Sequence, residues 1–155
     1  MSGIKIINFR KLGPGDAETL IQLINQDTKD YSKYFVAFEF DSVTIENILT
    51  KAKNDLYCGV YWGEELTGFY MLRGFDEGFT IPSYGVYISS RFNNKGLAAL
   101  TLNHAISICK LHGFKKIRLK VHKENIFAFK QYKKYGFIET GFDEKINNFI
   151  LHKDI

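Results

Sequence analysis

Residues 83–98, SYGVYISSRFNNKGLA, switch from a two-residue to a helical repeat across one short polar turn. Tyr84, Val86 and Ile88 alternate with Gly85, Tyr87 and Ser89, which is the pattern of a strand with bulky side chains on one face. From Leu97 to His112 the sequence reads as a helix closed by Gly113. The turn between them, Asn93-Asn94-Lys95-Gly96, is made of residues that tolerate unusual backbone angles. A helix entered this way has unpaired N–H groups in its first turn. Those amides, the helix dipole and Lys95 suit an anion, most naturally a phosphate or pyrophosphate.

The remaining elements follow in order. Ile4 to Phe9 reads as a strand, and Gly13-Pro14-Gly15-Asp16 as a turn whose last residue caps a helix over Ala17 to Asn25. Gln26 to Phe40 is irregular and aromatic, either tucked into the core or forming the wall of a cleft. Asp41 or Ser42 caps a helix running to about Lys53. Leu56–Trp62 and Leu66–Leu72 form a hairpin around Gly63-Glu64-Glu65, and a connection from Arg73 to Pro82 leads into the strand at Ser83. Lys116 to His122 is a strand, Asn125 to Tyr135 a short helix closed by Gly136, and Phe137–Lys145 and Asn148–His152 the last two strands. This order predicts an α/β (α+β) fold in one domain over residues 1–155. Its core would be a single mixed, mostly antiparallel twisted sheet of about seven strands, with about four helices on both faces.

Composition narrows the function classes. The 155 residues, 45% hydrophobic and 25% charged, are enough for one domain with a sizeable core. A net charge of +4 suits an anionic ligand, but no long basic run points to nucleic acid. Lys115, Lys116, Arg118, Lys120 and Lys123 alternate with apolar residues and read as the solvated face of one strand. Cys58 and Cys109 form no metal-binding spacing and read as reduced, packed thiols, so no metal is expected. No apolar run reaches membrane-spanning length, and residues 1–11 lack a signal-peptide core. The expectation is a cytoplasmic protein acting on a small molecule, with no membrane or nucleic-acid partner.

The most informative stretch is residues 121–137. Asn125, Ala128, Tyr132 and Tyr135 are three and four apart and share one helix face. The face offers an amide, a small residue that lets a ligand approach closely, and a phenol. With Gly136 and Phe137 it reads Asn-x-x-Ala-x-x-x-Tyr-x-x-x-Gly-Phe, and here the chain resembles the GNAT superfamily of acyl-CoA-dependent N-acyltransferases. The family's pyrophosphate turn, Gln/Arg-x-x-Gly-x-Gly/Ala, corresponds to Asn93-Asn94-Lys95-Gly96-Leu97-Ala98. Asn93 replaces the usual Gln or Arg, although Arg91 is close by, and Ser90 stands where proline is common. Neither GxGxxG nor GxxxxGK[ST] is present.

The resemblance implies a cofactor site. Acetyl-CoA would lie in a V where the Val86 strand and the Lys116–His122 strand splay apart. Its pantetheine arm would pair with backbone groups of Val86, Tyr87 and Ile88, and the same N–H groups would stabilise the developing oxyanion. The pyrophosphate would sit on the amides of Asn94 to Ala98. Asn125 would hydrogen-bond the arm beside Ala128. Tyr132 would protonate the departing thiolate, phenol and thiol having ordinary pKa values of about 10 and 8.5. For the base that deprotonates the incoming ammonium, Glu77 is the first choice, with Asp76 and His122 as alternatives.

The acceptor is expected to be a primary amine of a small molecule. Tyr31, Tyr34, Phe35 and Phe38 could stack on a ring, Arg73 could meet a phosphate or carboxylate, and Asp76 or Glu77 could hold an ammonium. Together these suit an amino sugar, including a nucleotide-linked one, with protein N-termini, amino acids and polyamines as alternatives. Two rival classes are a non-catalytic CoA-binding regulator and an RNA-binding sheet domain, the second suggested by Thr67-Gly68-Phe69-Tyr70. Exposed strand edges leave room for a homodimer.

Overall fold

The computed structural model describes residues 3–35 and 37–155, so Met1 and Ser2 of the leader reading and Val36 of the aromatic segment lie outside it. The elements are β1 (Ile7–Lys11), α1 (Ala17–Asn25), α2 (Lys29–Ser32), α3 (Ser42–Lys51), β2 (Leu56–Trp62), β3 (Glu65–Arg73) and β4 (Ser83–Ile88). They continue with α4 (Leu97–Leu111), β5 (Lys116–His122), α5 (Ile126–Lys134), β6 (Ile138–Asp143) and β7 (Asn148–Asp154). The strands form one seven-stranded sheet in the order β1-β2-β3-β4-β5-β7-β6. Every pairing is antiparallel except β4 with β5. The expected mixed sheet with helices on both faces is therefore present, with a short fifth helix, α2, inside the aromatic segment.

Each face of the sheet carries its own core. On one side Leu20, Leu23 and Ile24 of α1 and Ile45 and Leu49 of α3 pack on Phe69, Met71 and Tyr87. On the other, Leu102, Ala105 and Cys109 of α4 pack on Tyr70, Tyr84, Leu119, Val121 and Leu151. Strand alternation sends Phe69 one way and Tyr70 the other, and both are fully buried. That removes the RNA reading, because a ring enclosed in the core cannot stack on a base.

Local chemistry sets most of the boundaries. Asp41 caps α3 by accepting from Thr44 N–H at 2.9 Å. Asp16 behaves differently from the expected cap. Its carboxylate accepts from Gly13 N–H at 2.8 Å and closes the turn that precedes α1. Gly113, at φ +83°, ends α4, with Phe114 N–H donating to Cys109 C=O. Gly136, at φ +91°, ends α5, with Phe137 N–H donating to Tyr132 C=O.

Candidate active site

The parallel pairing of β4 with β5 is short. It joins Ser83 to Arg118 and Tyr84 to Leu119, and then stops. The strands are six and seven residues long, so their C-terminal halves diverge. The gap opens on a cleft of about 1070 Å³ lined by Gly85, Val86, Tyr87, Ile88, Asn93, Lys120, Val121, His122, Asn125, Ala128 and Tyr132 among others.

Backbone direction decides what the gap offers. Ser89 N–H donates to Thr67 C=O at 2.9 Å, so the odd-numbered residues of β4 turn their amide groups toward β3. Arg118 N–H donates to Pro82 C=O at 2.9 Å, so the even-numbered residues turn theirs toward β5. Beyond Tyr84 β5 has splayed away and no longer pairs with β4. Val86 and Ile88 therefore aim their amide groups into the gap. The expected set of three narrows to these two, because Tyr87 spends its backbone on the pairing with Phe69. The Tyr87 side chain points to the α1 face, where its hydroxyl donates to Asp27. Asp27 also accepts from Ser90, and these contacts tie the chain after α1 to the end of β4.

At the wide end of the gap, Asn94 and Gly96 have φ values of +58° and +83°. This is the left-handed geometry expected of the turn. Gly96 is the N-cap of α4 and brings no side-chain hydrogen bond; the first turn holds no acidic residue. The first helical bond runs from Leu100 N–H to Gly96 C=O at 3.1 Å, so the amides of Leu97, Ala98 and the next residue have no helical partner. An added Cβ at Gly96 would meet nothing within 4 Å, so the space over the turn is open. Arg91 does not supply the cation missing at Asn93. Its guanidinium pairs with Glu65 at 3.0 Å.

The wall opposite β4 is α5. Asn125 is its N-cap, and its Oδ1 accepts from Ala128 N–H at 3.4 Å, which leaves the amide Nδ2 for a ligand. Tyr132 is half-buried, with its ring edge-on to Phe137. Burial, with Tyr135 adding to it, pushes the Tyr132 phenol well above its ordinary value. The phenol therefore lies further above a thiol than the sequence suggested, and its O–H stays protonated throughout the physiological range.

The three base candidates separate. Asp76 is fully employed, accepting from the N–H groups of Lys53, Asn54 and Asp55, and these bonds hold its carboxyl below the usual range. His122 lines the cleft under the ring of Tyr34, with centroids 4.9 Å apart. Its Nδ1 accepts from Glu124 N–H at 3.2 Å, so the neutral ring carries its proton on Nε2 and has no lone pair left for the cleft. Glu77 is exposed and lines the cleft.

Of the aromatic segment, Tyr31, Tyr34 and Phe35 line the cleft, while Phe38 stays out of it and packs with Phe35 and Phe40 against the α1-side core. The Tyr31 hydroxyl was not anticipated. It donates to Ile88 C=O at 2.6 Å, and nothing in the sequence ties residues 57 positions apart. The basic strand also differs from the expected solvated face. Arg118 and Lys120 line the cleft, and the Arg118 Nε is buried. Cys58 and Cys109 are free and buried; burial raises both thiols, Cys109 to about 11, so neither is a nucleophile.

Among the described residues no helix is long and apolar enough to cross a membrane. The Acetyltransferase (GNAT) family profile matches residues 19–137. A spermidine N(1)-acetyltransferase of Thermoplasma acidophilum is 24% identical over 159 residues, covering 95% of this chain and 96% of that protein. The L-amino acid N-acetyltransferase AaaT of Escherichia coli is 33% identical over 66 residues, 42% of this chain and 41% of that one. The crystal structure of PaiA N-acetyltransferase from Thermoplasma acidophilum in complex with coenzyme A superposes with a TM-score of 0.78 at 23% identity. It covers 97% of this chain and 99% of that one. With the profile spanning the Asn93–Ala98 turn, both cleft walls and the Asn125–Phe137 motif, the chain belongs to the GNAT family and is an acetyl-CoA-dependent N-acetyltransferase.

Proposed function

We propose that this chain, acting as one domain, moves an acetyl group from acetyl-CoA to a primary amine of a small molecule by direct attack in a ternary complex. The observation that carries this reading is the two-rung β4–β5 pairing. It leaves the Val86 and Ile88 amides open opposite Asn125, Ala128 and Tyr132.

The residues divide the work by position. The amides after Gly96 hold the pyrophosphate, with Lys95 as the nearby cation. Val86 and Ile88 hold the pantetheine arm as an added strand, and Asn125 Nδ2 donates to it. Glu77 takes the proton from the acceptor ammonium. The amine nitrogen then attacks the thioester carbonyl carbon while a β4 N–H donates to the carbonyl oxygen as it gains charge. The C–S bond breaks as the Tyr132 O–H donates to the departing sulfur, and the second proton of the attacking nitrogen, shed as the amide forms, leaves coenzyme A as the thiol and Tyr132 as the neutral phenol.

The acceptor range takes in amino sugars, nucleotide-linked ones included, and amino acids. Polyamines form the second reading, favoured by the relative named for spermidine acetylation. Calorimetric titration of acetyl-CoA into wild type and Gly96→Asp tests the cofactor site. Aspartate tolerates the left-handed backbone and sets a carboxylate against the pyrophosphate. Micromolar binding to wild type, weakened at least about 100-fold in the variant, is expected, since two charges at close range differ by several kcal/mol. No binding to wild type would sink the proposal.

A further inference from the structure

Arg73, Ser83, Arg118 and His152 form one row across four strands. Arg73 pairs with Ser83, Ser83 with Arg118, and Arg118 with His152. Paired residues share a face, so all four lie on the side that carries Phe69, Met71 and Tyr87, opposite the α5 wall. Both arginines line the cleft. The row sits at the closed end of the V, where β4 and β5 still touch.

The charges around this row do not balance. Lys120, one step further up β5, pairs with Asp143 at 2.9 Å, and Lys33 pairs with Asp30 at 3.2 Å. No ion pair among the described residues involves Arg73 or Arg118. The Arg118 Nε is buried and makes no hydrogen bond. A buried donor left unmade costs free energy, and a guanidinium costs more. Its neighbour His152 is no substitute partner. Burial, then Arg118 and Lys116, depress the His152 pKa, and its Nδ1 is engaged with Thr140 at 2.5 Å. The cofactor phosphates do not reach this point, because their turn at Asn93–Ala98 follows the opposite end of β4.

We infer that the acceptor amine also carries an anionic group, a carboxylate or a phosphate, held by the Arg118 guanidinium on the cleft floor, with Arg73 two strands away adding positive charge. This rests on the acetyltransfer reading and names its substrate class. Ser83 lies three residues before Val86, roughly 10 Å along the strand. An extended arginine and a compact amino acid or phosphorylated amino sugar together span that distance. Glu77 at the rim supplies the complementary handle for the ammonium. A polyamine, cationic at every end, would meet the unpaired Arg118 guanidinium, while of the two carboxylates lining the cleft Asp30 is already paired with Lys33 and only Glu77 is open.

The test is an acetylation assay with free amino acids and glucosamine 6-phosphate as anionic amines. Amino acid amides and glucosamine are their counterparts without the anionic group, and spermidine is the polycation. Acetyl-CoA affinity by calorimetry runs alongside. Wild type is expected to favour at least one anionic amine about tenfold or more over its counterpart and over spermidine. The carboxylate and phosphate arms identify which anion is read. In Arg118→Gln that preference should fall by about 10- to 100-fold through KM, the scale of a charge-assisted bidentate contact. Arg118→Lys should restore part of it. Unchanged melting and acetyl-CoA affinity in both variants would exclude misfolding. Spermidine as the best acceptor, no turnover of any anionic amine, or equal losses on amines with and without the anionic group in Arg118→Gln would each overturn the inference. The acetyltransfer reading would survive any of these if wild type binds acetyl-CoA, and the inference falls with that reading if it does not.

Discussion

The Tyr31 hydroxyl donates to the Ile88 carbonyl at 2.6 Å, across the open edge of β4. Ile88 is one of the two residues whose amide groups face the V, so α2 reaches over and occupies one acceptor on the cofactor's expected path. Burial and the nearby Asp27 carboxylate both raise the Tyr31 phenol, so it remains a donor. Tyr31 also meets Tyr87 edge-on, with centroids 6.1 Å apart.

Tyr31→Phe keeps the ring and removes the hydrogen bond. The bond joins a neutral pair at a partly exposed site, so stability should fall by no more than about 1 kcal/mol. KM values should change more than the melting temperature does. Steady-state kinetics beside a thermal melt would show this, and a large melting loss with unchanged KM would assign Tyr31 to the core alone.

Tyr132→Phe should lower kcat by about 100-fold, at the lower end of what one positioned proton donor contributes. Acetyl-CoA affinity should hold, because the ring still packs on Phe137. The phenol is pushed up by burial, so the rate should show no alkaline fall from Tyr132 below about pH 10. A pH–rate profile of wild type against the variant checks both points.

Asp76 and Glu77 are neighbours to which the proposed mechanism gives opposite roles. Asp76→Ala removes the acceptor for three backbone N–H groups and should lower the melting temperature with little effect on kcat. Glu77→Gln should leave the melt unchanged and lower kcat/KM, with the loss shrinking at high pH, where the acceptor sheds its proton unaided. A swapped outcome would exchange the two assignments.

His104 is stacked on Phe9 at 3.8 Å, and its Nδ1 hydrogen-bonds the Tyr70 hydroxyl at 2.7 Å. Burial depresses its pKa below the unfolded value of 6.5. The unfolded chain then binds the proton more readily than the folded one. Stability should be full above about pH 6.5 and decline as pH falls through that value toward the folded pKa. Melts between pH 7.5 and 5 would follow this, and His104→Gln should flatten the slope.

The alternation in Tyr84–Ser89 and the helical spacing of Asn125, Ala128 and Tyr132 are local periodicities. A strand, a helix and the face each one buries could therefore be read before any contact was known. The turn at Asn93–Gly96 was legible for the same reason, because Asn94 and Gly96 are residue types that enter the left-handed region cheaply. Arg118 shows the limit of such reading. In sequence it is one cation in an alternating basic strand. Only the parallel pairing that ends at Tyr84 and Leu119 turns that face into a cleft floor and buries the Arg118 Nε. The loss of Tyr87 from the backbone set has the same origin, since the register against β3 decides which amides are spent. Tyr31 and Asp76 found their partners 57 and about 22 residues away, and no local pattern encodes a hydrogen bond across that distance. Periodicity fixes which way a side chain faces, and tertiary pairing fixes what it meets there.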